Sequence, residues 1–461
     1  MYDLLIRRGK LVTAERSFQA DIAIEGGKIA DIAQDIDPTL AKEVIDAGGQ
    51  MVLPGLIDPH VHIKQRFGDG FAADDFYTAT VSAAFGGITT VLDFAIQWDK
   101  AYDLQQTVQM RLAQFARDSV VDYGVHACPT ISSQATIDAM PNVVASNVPS
   151  FKVYMTYSRQ NRMADDGVIY NMLRQSVPLG AWVGVHAEND ALTRFNEEAC
   201  IQRGETSPHY FPIAKGNLVE AEAVHRALYL NEAAGGNLYI FHLSTREGLQ
   251  MLRASQAAGH HVAAETCTHY LALNSSVYDR PDGANFICSP PIRSKEDQQA
   301  LWEGVADGSI SVVSSDHCGY STAHKAAGNG NFIKTPNGLP AMELRLPVLY
   351  TYGVREGRIS MEKLVAVTST NPAKLFGMYP QKGALSVGSD ADIVLFDPDK
   401  SRTVSASILH SPVDWSPFDG MRLYGFATMT LSHGETLIDH GMLCGERGRG
   451  RFVPRRRVQT Q

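Results

Sequence analysis

The stretch GLIDPHVHIKQRFGDG, residues 55–70, sets His60 and His62 two apart at the end of an apolar, β-rich run. Side chains alternate faces along a strand, so both imidazoles point the same way. The run is the first of eight: MVLPGLIDPHVH, ITTVLDFA, DYGVHACPT, SFKVYMTY, WVGVHAEN, NLYIFHLST, HVAAETCTHYL and ISVVSSDHCGY all read as short buried strands. Between them lie stretches such as DLQQTVQMRLAQFARD and LVEAEAVHRALYLNEAAG, whose apolar residues recur every three or four positions, as in amphipathic helices. Eight strands alternating with helices predict an α/β fold, a (β/α)8 TIM barrel, with its active site at the C-terminal ends of the strands.

The two ends of the chain have a different texture. DIAIEGGKIADIAQDI reads as a hairpin turning at Gly26 and Gly27, and EVIDAGGQMVLPG adds a strand. Near the other end, ADIVLFDPD is followed by ATMTLSHGETLIDHGML, a second hairpin around His433 and Gly434. The ends are expected to pair into a small β-sandwich, formed by 1–52 and 378–440 around a barrel over 53–377. A basic tail, 441–461, closes the chain, and it reads as solvated or packed at a subunit interface.

The 461 residues are 44% hydrophobic and 20% charged, which suits a large soluble core. A net charge of −9 argues against a nucleic-acid or anionic-membrane partner, the six-arginine tail notwithstanding. The six cysteines, Cys128, Cys200, Cys267, Cys288, Cys318 and Cys444, form no CxxC pair, and no run of eighteen apolar residues occurs. A cytoplasmic protein is expected.

The strand ends carry the chemistry. His60 and His62 end the first strand, Lys152 lies in the fourth, His186 and His242 end the fifth and sixth, and Asp316 ends the eighth. A single strand histidine is more often a hydrogen-bonded core residue than a ligand, and a single aspartate is often a helix cap. Convergence on one barrel mouth points instead to metal. Imidazole and carboxylate suit zinc, and also manganese, cobalt or nickel. The donors are too many for one ion, which argues for two. Lys152 beside two dications would be neutral. It either takes up CO2 to become a bridging carbamate or positions a substrate.

At this point the sequence resembles the cyclic amidohydrolases of the amidohydrolase superfamily, in the dihydropyrimidinase and D-hydantoinase branch. The resemblance spans nearly the whole chain and rests on PGLIDPHVH, FKVYMTY, VHAEN, FHLST, CSPPIR, SSDHC, PNGLPAMELRLPVLY, VGSDADIVLFDP and GERGRGRF. It implies a binuclear, usually zinc, centre, with His60, His62 and Asp316 on one metal and His186 and His242 on the other. N6-carboxylated Lys152, formed with CO2, would bridge them. It further implies Tyr157 as oxyanion donor, backbone groups of Ser289 and Asn337 on the ring amide, and Asp316 as proton shuttle for a metal-bridging hydroxide. The substrates implied are small cyclic amides or ureides, dihydropyrimidines or 5-substituted hydantoins, opened to N-carbamoyl amino acids. The implied assembly is a homotetramer, with a dimer as the alternative.

The loop IKQRFGDG departs from the branch, which usually carries an apolar or proline-bearing segment there. Lys64 occupies the offset at which dihydroorotases place a carboxylate-binding arginine. It and Arg66 either meet an acidic substrate, or point to solvent or hold Asp69, Asp74 or Asp75, and Phe67 and Trp98 are candidate specificity residues. An allantoinase-like or carboxylated-ring hydrolase is the alternative enzyme. A non-catalytic collapsin-response-type paralogue fits poorly, because every ligand position is filled. His126, His269 and His317 are left out of the ligand set, the last two being candidates for orienting ligands.

Overall fold

The computed structural model describes residues 1–458. Eight parallel strands lie side by side in chain order: Leu56–Val61, Ile88–Ile96, Asp122–Cys128, Ser150–Tyr154, Trp182–His186, Leu238–Ile240, Val262–Cys267 and Val312–Ser314. Each is buried on both faces, which is why the sequence shows nearly unbroken apolar runs rather than alternation. The barrel closes where Val61 bridges His317 and the His62 amide donates to the His317 carbonyl at 2.7 Å. The fully buried Arg345 reinforces this seam, its Nη1 donating to the Ile57 carbonyl at 2.8 Å and the Val313 carbonyl at 3.1 Å. Leu92, Phe94, Tyr239 and Phe241 fill the interior as one apolar cluster, leaving functional groups room only at the strand ends. The helix Leu104–Asp118 shows how the outer layer is specified: Asp103 caps it in a capping box with Gln106, and Leu104, Val108 and Phe115 face the barrel.

Strands from both chain ends form a separate nine-stranded sheet, joined where Met51–Pro54 lies between Tyr2–Val12 and Ile393–Thr403. Both expected hairpins form, Ser17–Glu25 with Lys28–Ala33 and Arg422–Ser432 with Glu435–Asp439. Their turn residues Gly26, Gly27, His433 and Gly434 all adopt positive φ. The run MVLPGLIDPHVH, which reads as one strand, is two. Met51–Pro54 belongs to the end sheet and Leu56–Val61 to the barrel, so the border falls at Gly55 rather than before residue 53. A Cβ at Gly55 would lie 2.2 Å from Thr89 Oγ1 and 2.9 Å from Asp392 Cβ, so only glycine lets the chain cross there.

The basic tail is not free in solvent along its described length. It docks on its own barrel, with the Val453 amide on the Tyr123 carbonyl at 2.9 Å and Arg447 paired with Asp118 at 2.8 Å. Arg455 is 2% exposed and donates to Ser150 Oγ at 2.7 Å. Of the tail, residues 459–461 lie outside the described residues.

Barrel and end sheet are also joined by buried charge. Lys382 Nζ lies 2.5 Å from Asp122 of the third barrel strand, 3.0 Å from Asp390 and 2.7 Å from Asp392, while His433 contacts Asp122 at 2.7 Å. Burial alone would raise the Asp122 carboxyl, but the Lys382 charge and the His433 bond outweigh it and hold it well below the usual carboxylate range. Stability drawn from that shift is present above the unfolded pKa of about 4 and is lost as pH falls through the folded value. Lys382→Met is therefore expected to lower denaturant stability by about 3–5 kcal/mol at pH 7. The gap to the parent protein should narrow below about pH 4. An equal loss at pH 7 and pH 3 would rule the charge account out.

Candidate metal centre and catalytic site

The structure brings the six expected ligands to one mouth. His60 is the penultimate residue of its strand, His62 lies one past that strand, Lys152 is central in its strand, and His186 ends the fifth. His242 and Asp316 each lie two residues past a strand. His242, Asp316 and Tyr157 have φ of 39°, 47° and 68°, the left-handed region that non-glycine residues enter at a cost, and such strain collects at functional sites. A cavity of about 300 Å³ opens above them, and Tyr157, Ser289 and Asn337 share its wall.

The distances are short. His60 Nε2 lies 2.9 Å from Asp316 Oδ1, 3.2 Å from His62 Nε2 and 2.9 Å from Lys152 Nζ, and His62 Nε2 lies 3.3 Å from the same Asp316 oxygen. Donor atoms of His60, His242 and Asp316 lie within 4.8 Å of one another. His242 is buried with neither ring nitrogen hydrogen-bonded, although an unpaired buried polar group is costly. His186 gives Nε2 to Glu188 at 2.7 Å, which leaves Nδ1 as its available ligand atom. Imidazole nitrogens crowded around a carboxylate, some without partners, fit a divalent cation centre.

Burial favours the neutral form at three of the four histidines. Burial pushes His62 down to about 3 against the pull of Asp316, and pushes His186 and His242 below the ordinary imidazole value. His60 moves the other way, because Asp316 and Glu265 together outweigh burial and the Lys152 charge. Lys152 is 1% exposed, and burial lowers its pKa although Asp316 opposes the shift. Burial raises Tyr157, so its hydroxyl keeps its proton.

Four charged residues around the site escaped the sequence reading. Glu265, in the seventh strand, binds His60 Nδ1 and accepts from the Tyr239 hydroxyl at 3.0 Å, fixing which His60 nitrogen faces the centre. Lys215 is buried, 3.0 Å from Glu188 and 2.8 Å from Ser289 Oγ, so it links the His186 support to a proposed substrate-binding residue. Lys325 donates to the Ile287 carbonyl at 2.6 Å and the Pro336 carbonyl at 2.8 Å, pinning the segment before Ser289 to the one before Asn337. Only Glu188 carried a local signal, two residues past His186 in HAEN.

The other candidates fall into place around the mouth. His126 is a core residue, with Nδ1 on Ser150 at 2.7 Å and Nε2 on the Pro59 carbonyl at 2.9 Å. His317 binds Asp74 at 2.7 Å and orients the first strand through its own carbonyl. His269 is buried and unpaired, and burial lowers it to about 4. Lys64, with φ of 51°, turns its ammonium over Phe71 at 5.4 Å and lines a neighbouring cavity instead. Phe67 lines the site cavity, Arg66 lies between it and the neighbouring cavity and lines both, and Trp98 lines the neighbouring one.

Comparison with known proteins agrees with this geometry. The sequence profile of the amidohydrolase family matches residues 51–422. The D-hydantoinase of Geobacillus stearothermophilus is 38% identical over 98% of this chain and 96% of its own length. The D-phenylhydantoinase of Escherichia coli O1:K1 / APEC is 40% identical over 98% of each chain. The crystal structure of dihydropyrimidinase from Brevibacillus agri NCHU1002 superposes with a TM-score of 0.96 at 38% identity, covering 100% of both chains.

Replacing Glu265 by Gln removes the negative charge behind His60. Metal retention on dialysis, or turnover, is expected to fall about 10–100-fold. Unchanged metal content and turnover would confine Glu265 to holding Tyr239.

Proposed function

This chain belongs to the amidohydrolase family and is a cyclic amide hydrolase, and we propose that it opens dihydropyrimidine or 5-substituted hydantoin rings to N-carbamoyl amino acids. The observation that carries this reading is the convergence of His60, His62, Lys152, His186, His242 and Asp316 on one mouth, beside Tyr157. His60, His62 and Asp316 would hold one divalent ion and His186 and His242 the other, zinc ahead of manganese, cobalt or nickel. Burial favours the uncharged Lys152 amine, which would take up CO2, its N–C bond forming as one C=O π bond opens and a proton leaves, and the carbamate would add a carboxylate-like donor between the two sets of ligands. Bound there, the ions supply a water acidic enough to ionise near neutral pH and a positive charge beside the ring carbonyl.

The protein's own groups do the rest. Asp316 takes the proton of the attacking water and passes it to the ring nitrogen as the C–N bond breaks. The Tyr157 hydroxyl donates to the carbonyl oxygen as it gains charge. Backbone groups of Ser289 and Asn337 hold the ring amide, their loops fixed by Lys215 and Lys325. A homotetramer, or else a dimer, and a cytoplasmic setting accompany the reading. Among the described residues no helix is long and apolar enough to cross a membrane.

The test is ring opening by zinc- or manganese-loaded enzyme with bicarbonate, on dihydrouracil, a 5-substituted hydantoin, allantoin and dihydroorotate. Turnover of either of the first two supports the reading, and turnover of none with metal bound overturns it. Asp316→Asn is expected to lower kcat by about 10²–10⁴-fold while retaining at least one metal. Lys152→Ala should lose metal and activity, with partial recovery on adding short-chain carboxylic acids. Full activity without them would refute the carbamate.

A further inference from the structure

We propose that the preferred substrate carries a carboxylate on its ring substituent, held at the cavity rim by Arg66, Arg162 and Lys334. The proposal rests on the ring-opening reading above and narrows its substrate class. All three cations line the cavity that holds Asp316 and Tyr157, and Asp316 is its sole lining carboxylate among the described residues. That carboxylate is already engaged by His60 and His62. None of the three cations forms an ion pair among the described residues, in a protein where most arginines do.

The acids nearby do not pair with this rim. Asp74 binds His317 and Asp75 caps the helix Phe76–Phe85, while Asp69 and Asp99 line the neighbouring cavity, which Arg66 also borders without forming an ion pair to either. Arg162 is half-buried and stacked on the Trp98 ring at 3.9 Å, so its guanidinium is held in place rather than free in solvent. A fixed, partly desolvated guanidinium without an acid favours a carboxylate ligand over a neutral one. Gln65 and Gln160 add polar groups to the same wall, and Phe67 supplies an apolar side against which a ring can lie. Lys64, the residue that the sequence offset singles out, faces away, and Arg162, ninety-eight positions later, takes the place at the mouth.

The test compares 5-(carboxyethyl)hydantoin with its carboxamide isostere, using metal-loaded enzyme, with dihydrouracil as a substituent-free reference. The carboxylate is expected to be favoured in kcat/KM by about tenfold or more, the size that one charge-assisted hydrogen bond confers. That preference should shrink as salt is raised, which needs no variant. In Arg66→Gln/Arg162→Gln the ratio of carboxylate to carboxamide should fall towards one. A carboxamide opened as well as the carboxylate by wild-type enzyme overturns the proposal and leaves the ring-opening reading standing. A preference untouched by both salt and the double substitution also overturns it. Failure to open any of the three rings would instead count against the ring-opening reading itself.

Discussion

The seam between the first and last barrel strands is the contact on which the site depends. One amide, that of His62, reaches one carbonyl, that of His317, and the barrel closes. The same bond sets the two first-strand histidines against Asp316, which lies almost the whole barrel away in sequence. Arg345 holds the seam from below through carbonyls of both strands, a buried cation serving backbone groups. Loosening the seam would therefore open the barrel and separate the ligands together.

Much of this was legible because the physics is local. Strands buried on both faces must be apolar, helices covering a barrel must repeat every three or four residues, and chemistry must sit where strands end. Those constraints expose the barrel, the hairpins and the six converging residues. What was hidden depends on chain reversals and distant partners. MVLPGLIDPHVH changes sheets at Gly55 without any break in hydropathy, because both halves are buried. The offset of Lys64 suggests a side chain aimed at the mouth, but a left-handed residue there turns it away. Glu265, Lys215 and Lys325 look like ordinary residues in sequence, and only folding shows which groups they touch.

The buried charges divide into two kinds. Below and beside the mouth each is matched: Glu265 with His60, Lys215 with Glu188, Lys382 with three aspartates. Matched charges of this sort add little net stability, since desolvation offsets their attraction, but removing one partner is expensive. They therefore fix geometry more than they add to the folding free energy. Lys325 and Arg455 are exceptions, buried without an acid: Arg455 is satisfied by Ser150 and the Val125 carbonyl, and Lys325 lies among carbonyls, where burial lowers it to about 7. Lys325 also has a structural role. It tolerates that position because two carbonyls satisfy its protons, and the loops it joins are those that carry Ser289 and Asn337.

The rim obeys the opposite rule. Arg66, Arg162 and Lys334 are left without acids although Asp69, Asp74 and Asp75 lie close in sequence to the first of them. Buried cations elsewhere are held by acids, carbonyls or hydroxyls, whereas the Arg162 guanidinium is stacked on Trp98 over the cavity with no acid paired to it. Unmatched charge at fixed geometry is how a binding site keeps affinity in reserve for a ligand of opposite sign. The matched network beneath and the unmatched rim above thus divide the work, the first holding the reacting centre and the second selecting what reaches it.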